Sequence, residues 1–115
     1  MNDKQQKALH ETRQFNANNG LITYGTVTVN PTDHFVYRNG VSIHLAPLEC
    51  KLLMFFLQNP NKVYTRAELL QAVWECQSPI ATRTVDIHIC SLRRKLHLEK
   101  SIQTVPTIGY MLRTP

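Results

Sequence analysis

No apolar run in this 115-residue chain approaches the roughly 18 residues that a membrane-spanning helix needs, and none near Met1 has the length of a signal-peptide core. A soluble, cytoplasmic protein is therefore expected. Cysteine is sparse: Cys50, Cys76 and Cys90 are odd in number and form no C-x-x-C pair, so neither a disulfide framework nor a zinc knuckle is indicated. That usage suits a reducing compartment. With four glycines, the chain has no Gly-rich phosphate loop and no nucleotide-binding motif. The eight acidic residues and five histidines are scattered without a paired acid and base. His88 and Asp86, two positions apart on a helix, would point about 200° away from each other, which argues against a catalytic dyad. The same splay separates His88 from Cys90 and argues against a metal site built from Cys76, His88 and Cys90. No enzymatic activity, metal or cofactor is expected.

What is present is positive charge, unevenly placed. Thirteen Lys and Arg against eight Asp and Glu give a net charge of +5. Residues 81–115 hold six basic and two acidic side chains, so +4 of that excess lies in the last third. A cationic segment implies an anionic partner, with nucleic acid the leading candidate and an acidic membrane surface behind it. The length and the 43% hydrophobic content suit one globular domain with a core that needs no staples.

The charge is organised by the stretch Ile80–Leu98. Val85, Ile89, Leu92 and Leu96 recur at i, i+4, i+7 and i+11, the spacing of a helix with one buried stripe. At about 100° per residue the opposite side carries Arg83, Ile87, Cys90 and Arg94, flanked by Asp86, Ser91, Arg93 and Lys95. Thr82 or Thr84 suits the N-cap, and the cations Arg93, Arg94 and Lys95 suit the negative end of the helix dipole. Because the core needs the apolar stripe, this helix has no free apolar face with which to lie on a membrane.

Before the helix, Met1–Gly20 is polar and reads as a flexible tail or linker. From Leu21 to Leu45, β-branched and aromatic residues alternate between turn signals. They predict four short antiparallel strands near Leu21–Tyr24, Thr26–Asn30, His34–Arg38 and Val41–His44, with Asn39-Gly40 as a tight hairpin. Pro47 opens a largely apolar helix through about Gln58, which Asn59-Pro60-Asn61 ends. Ala46 falls at its N-cap and offers no capping oxygen, a weakness of roughly 1 kcal/mol. Val63-Tyr64 suits a single-bridge strand, and Thr65–Glu68 reads as a capping box leading into a helix through about Trp74. Glu75 to Pro79 connects to the basic helix. After it, Ser101–Val105 and Tyr110–Arg113 alternate as a terminal hairpin. The fold class expected is α+β, with a four-stranded N-terminal sheet, three helices and a C-terminal hairpin beside the basic helix.

This order of elements resembles the OmpR/PhoB-type winged-helix DNA-binding domain, as do R-T-V-D-I-H-I-C-S-L-R-R-K-L at Arg83–Leu96 and T-V-P-T-I-G-Y at Thr104–Tyr110. L-A-P-L-E at Leu45–Glu49 and R-A-E-L-L-Q-A-V-W at Arg66–Trp74 also fit, so the likeness covers residues 21–113. It implies a bacterial, sequence-specific transcription regulator of the kind found in two-component systems. A recognition helix, about 81–97, would enter the major groove, and a wing, about 102–113, would lie near the minor groove. The helix chemistry agrees, since Arg donates two bonds to guanine and apolar groups meet the thymine methyl.

On this resemblance Arg83, Ile87, Ser91 and Arg94 are the major-groove candidates, with Cys90 filling between them. Thr84, His88, Arg93, Lys95, Trp74, Thr104 and Tyr110 are candidates for positioning the DNA backbone. The resemblance further implies tandem homodimeric binding to direct repeats and, weakly, contact with RNA polymerase through the 75–80 loop. The chain departs from the family at Cys90, Ser91 and Pro106, where members often carry Arg. Fewer cationic contacts predict weaker binding by an isolated domain. The competing reading is a winged-helix module that binds regulatory protein partners and has weak or lost DNA reading.

Overall fold

A computed structural model of the chain describes residues 15–16, 21–30, 32, 35–75 and 82–114. The four strands expected in the N-terminal half are present as β2 (Leu21–Tyr24), β3 (Val27–Asn30), β4 (Phe35–Arg38) and β5 (Val41–His44). They form an antiparallel meander, in which alternation puts Ile22, Tyr24, Val27, Val29 and Val36 on the buried face. Asn39 and Gly40 both adopt positive φ, 53° and 82°, and join Arg38 to Val41 as the tight hairpin that their sequence signals. A two-residue edge strand, β1 (Phe15–Asn16), adds to these four by pairing with Leu21–Ile22. The rest of residues 1–20 lies outside the described residues, as does His34.

Helix α1 (Pro47–Gln58) buries Cys50, Leu52, Leu53, Phe56 and Leu57 and packs against the two other described helices and the C-terminal hairpin. Its N-cap Ala46 makes no side-chain cap, but Glu49 Oε1 accepts the Ala46 N–H at 3.0 Å, so half of a capping box forms. Ala46 already has extended backbone, φ −64° and ψ 154°. Ala46→Ser is thus expected to add the missing bond to the Glu49 N–H and to stabilise the fold by about 0.5–2 kcal/mol, read as a raised unfolding midpoint. No increase would mean that this N–H is already satisfied by water.

Strand β6 (Tyr64–Thr65) falls one residue later than expected, and Thr65 doubles as the N-cap of α2 (Arg66–Leu69). The capping box is complete: the Thr65 hydroxyl accepts the Glu68 N–H at 3.0 Å, and the Glu68 carboxylate accepts the Thr65 N–H at 2.8 Å. Residues Leu70–Trp74 continue α2 as a π-helical turn where an ordinary α-helix was expected. That wider turn buries Leu70 and Val73 and leaves Trp74 half-buried. Glu75, at φ 57°, ends it.

Helix α3 (Thr82–Leu96) buries Val85, Ile89, Leu92 and Leu96, the four residues of the expected stripe. It begins at Thr82, so Thr84 lies inside the first turn and is no N-cap. At its end, His97 takes a left-handed conformation, φ 56°, and the Leu98 N–H reaches the Arg93 carbonyl at 3.1 Å. This is the Schellman ending, with His97 in the place that glycine usually fills. Strands β7 (Ile102–Val105) and β8 (Gly109–Leu112) form the hairpin, and β6 adds to it in the order β6-β8-β7. Among the described residues, one hydrophobic cluster joins the meander, α1, α2, α3 and the hairpin. No helix among the described residues is long and apolar enough to cross a membrane.

Candidate nucleic-acid interface

With its stripe seated in the core, α3 turns Arg83, Ile87, Cys90 and Arg94 to solvent, and Ile87 is 60% exposed. Ile87, Cys90 and Arg94, with His88, Ser91 and Glu49, line an open depression of about 340 Å³. Thr84, His88, Ser91 and Lys95 border the exposed row and are half-buried. His88 is held on two sides, with Nδ1 2.9 Å from the Thr84 carbonyl and its ring edge-on to Trp74 at 5.0 Å. Among the described residues, Arg94 makes no hydrogen bond or ion pair, which leaves its guanidinium available to a ligand.

Arg93 and Lys95 of α3, by contrast, are engaged within the fold. Arg93 donates from Nε and Nη2 to the Ile102 carbonyl at 2.9 and 2.7 Å, and from Nη2 to the Thr104 hydroxyl at 2.8 Å. It thereby ties the helix to β7. Lys95 Nζ lies 2.8 Å from Glu49 Oε1, and Ser91 donates to Glu49 Oε2 at 2.6 Å. Tyr110 is buried on β8, and its hydroxyl donates to Asp86 Oδ1 at 2.6 Å. Arg66 on α2 donates to the same oxygen at 2.7 Å, and the Arg66 and Arg93 guanidiniums lie over the Tyr110 ring at 5.2 and 5.5 Å from its centroid. One carboxylate therefore clamps α2, α3 and the hairpin together.

Glu49, Arg66 and Asp86 were not singled out as functional from sequence. Glu49 was legible only as a first-turn acid, while the adjacency of Asp86 to the buried stripe was the available signal for an inward role. Of the proposed contacts, Arg83, Ile87, Cys90 and Arg94 share one exposed face, Thr84 and His88 flank it, and Thr104 is exposed on the hairpin with its hydroxyl bound to Arg93.

The two acidic clamps predict the pH response of the fold. Burial pushes the Asp86 carboxyl up, but hydrogen bonds from Tyr110 and Arg66 and the charges of Arg66 and Arg83 outweigh it, so the net shift is down. For Glu49, burial likewise raises the value, and the bonds from Lys95, Ser91 and Ala46 with the Lys95 charge turn the net shift downward. A carboxylate whose folded pKa is depressed stabilises fully above the unfolded value of about 4, and that stability is lost as pH falls through the lower folded value. Burial and the bond to Asp86 raise the Tyr110 pKa, so its contribution is present below the unfolded value of about 10 and is lost as pH rises through the folded one. The unfolding midpoint is expected to be flat near neutrality and to fall below about pH 4, with a smaller acid-side fall in Asp86→Asn. An identical acid limb in the variant would remove Asp86 from this account.

The hairpin tip has a different character. No Lys or Arg occurs from Ser101 to Leu112, and Pro106, Thr107 and Ile108 are exposed at the turn. The Ile108 N–H closes that turn on the Val105 carbonyl at 2.9 Å, with Thr107 at φ 63°.

A capped short helix, a second helix with a buried stripe and a cationic outer face, and a hairpin clamped to its flank together define a winged helix-turn-helix. Residues 40–112 match the family model described as "Transcriptional regulatory protein, C terminal". The chain belongs to that family, the OmpR/PhoB type that its motifs resemble. It is 38% identical over 97 residues to the phosphate regulon transcriptional regulatory protein PhoB of Shigella flexneri, a match covering 82% of this chain and 42% of that protein. The chain thus spans less than half the length of that relative. Its fold is similar to the DNA-binding domain of E. coli CadC, with TM-score 0.70, 34% identity and coverage of 79% and 89%. It is also similar to the AdeR response-regulator DNA-binding domain solved in complex with an intercistronic region, with TM-score 0.68, 32% identity and coverage of 80% and 98%.

Proposed function

We propose that the chain binds duplex DNA sequence-specifically to regulate transcription, with α3 in the major groove and the β7–β8 wing beside the minor groove. The observation that carries this reading is the exposed row Arg83, Ile87, Cys90 and Arg94 on a helix whose opposite side is locked into the core. Arg83 and Arg94 supply paired donors for guanine, Ile87 meets a thymine methyl, and Cys90 is small enough to allow close approach. Thr84, His88 and Trp74 border this face and position the backbone. The binding activity is non-enzymatic and its setting the bacterial cytoplasm. Because the related regulators are longer, tandem binding as a homodimer and contact with RNA polymerase through the 75–80 loop belong to the same proposal.

The test is selection from a random duplex pool beside an unselected control, titrated at two salt concentrations. A selected site bound far more tightly than the control, with affinity falling steeply in salt, is the expected result. Absence of both would favour the protein-partner reading, to which the uncharged wing tip already lends itself.

A further inference from the structure

Lys95 and Ser91 have the composition of DNA contacts, yet both point their polar atoms at one buried carboxylate. Glu49 is 7% exposed and sits at the third position of α1. There the helix dipole favours its charge. Its Oε1 accepts the Ala46 N–H and the Lys95 ammonium, and its Oε2 accepts the Ser91 hydroxyl. Three donors, one from the residue preceding α1 and two from α3, fix the carboxylate. Ser91 and Lys95 are four residues apart and so lie one above the other on the same flank of α3, beside the exposed Arg94.

We infer that Glu49 is a positioning residue that withholds Lys95 and Ser91 from DNA and thereby limits the electrostatic affinity of the recognition face. For Lys95 to reach a phosphate it must abandon Glu49, whose buried carboxylate is then short of its cationic partner. A buried charge stripped of its partner is costly, whereas an ammonium on exposed DNA contributes a modest, salt-screened attraction. The balance keeps Lys95 on Glu49. Ser91 is held similarly, because its single proton is already donated. Arg83 and Arg94 are then the cations of α3 left to the groove, with Arg93 spent on the wing. This inference rests on the proposed DNA binding and predicts how that binding responds to salt.

The test compares the unsubstituted chain, Glu49→Gln, Lys95→Gln and the double variant on random duplex DNA across a salt series. Lys95→Gln alone is expected to leave the salt slope unchanged. Glu49→Gln keeps an oxygen for the Ala46 N–H but releases Lys95, so affinity should rise about three- to tenfold at low salt and the slope steepen by about one. The double variant should return to the original slope. Unfolding midpoints establish that each variant is folded, and a double-mutant cycle on stability reads the Glu49–Lys95 coupling without DNA. A flatter slope in Lys95→Gln, or an unmoved slope in folded Glu49→Gln, overturns the inference while leaving DNA binding intact. Failure of the unsubstituted chain to bind any duplex overturns the proposed function and this inference together.

Discussion

Gly109→Ala is expected to destabilise the fold by about 3 kcal/mol or more, in the upper range of single substitutions. A Cβ added there would overlap the Tyr64 carbonyl oxygen and lie 2.8 Å from Thr65 Cα, both of them backbone atoms that no rotamer change can move aside. Gly109 sits in the central strand of the β6-β8-β7 sheet and pairs with Thr65 on one side and Val105 on the other. Relief requires β6 and β8 to separate. Separation would disturb Thr65, which caps α2, and the adjacent Tyr110, whose hydroxyl anchors Asp86 of α3. The effect should therefore spread from the wing to the recognition helix. For a domain of this size each kcal/mol moves the midpoint by roughly 4–8 °C, so a fall on the order of 12 °C or more is expected in a thermal melt. A fall of only a few degrees would show that the small sheet yields without losing its pairing.

That glycine illustrates which parts of the molecule were legible in sequence. The stripe of α3, the Asn39-Gly40 hairpin and the Thr65–Glu68 capping box were all readable, because each is set by residues within one or two turns of each other. Gly109 could be read only as part of a turn, since what forbids a side chain there is backbone 45 residues earlier, at Tyr64. Glu49 is likewise 42 and 46 residues from Ser91 and Lys95, a separation that local pattern cannot bridge. The same limit explains the candidate site. Charge and helical period placed Arg83, Ile87, Cys90 and Arg94 together, and the structure keeps them on one exposed face. Period alone does not distinguish these from Arg93, Ser91 and Lys95, whose polar atoms bond to β7 and α1. Sequence shows which way a side chain leaves its helix, while the packing of distant elements decides whether its polar end stays free.

Arg93 and Arg94 make that distinction measurable, being adjacent in sequence and identical in chemistry. Arg94 is exposed and unbonded among the described residues, so Arg94→Ala should leave the unfolding midpoint nearly unchanged. Its loss should instead appear in binding: about 1–3 kcal/mol at the selected site, or roughly 5- to 150-fold, with a smaller effect on random duplex. Arg93 donates three hydrogen bonds across to β7, two of them to a carbonyl left without that partner by truncation. Arg93→Ala should thus cost about 1–3 kcal/mol of stability and loosen the wing from the helix. Anisotropy titrations on selected and random duplexes, beside thermal melts of both variants, separate the two roles. Equal losses on both duplexes for Arg94→Ala would move that residue from base reading to phosphate contact. A stable Arg93→Ala with weakened binding would mean that its guanidinium leaves β7 for DNA when the duplex arrives.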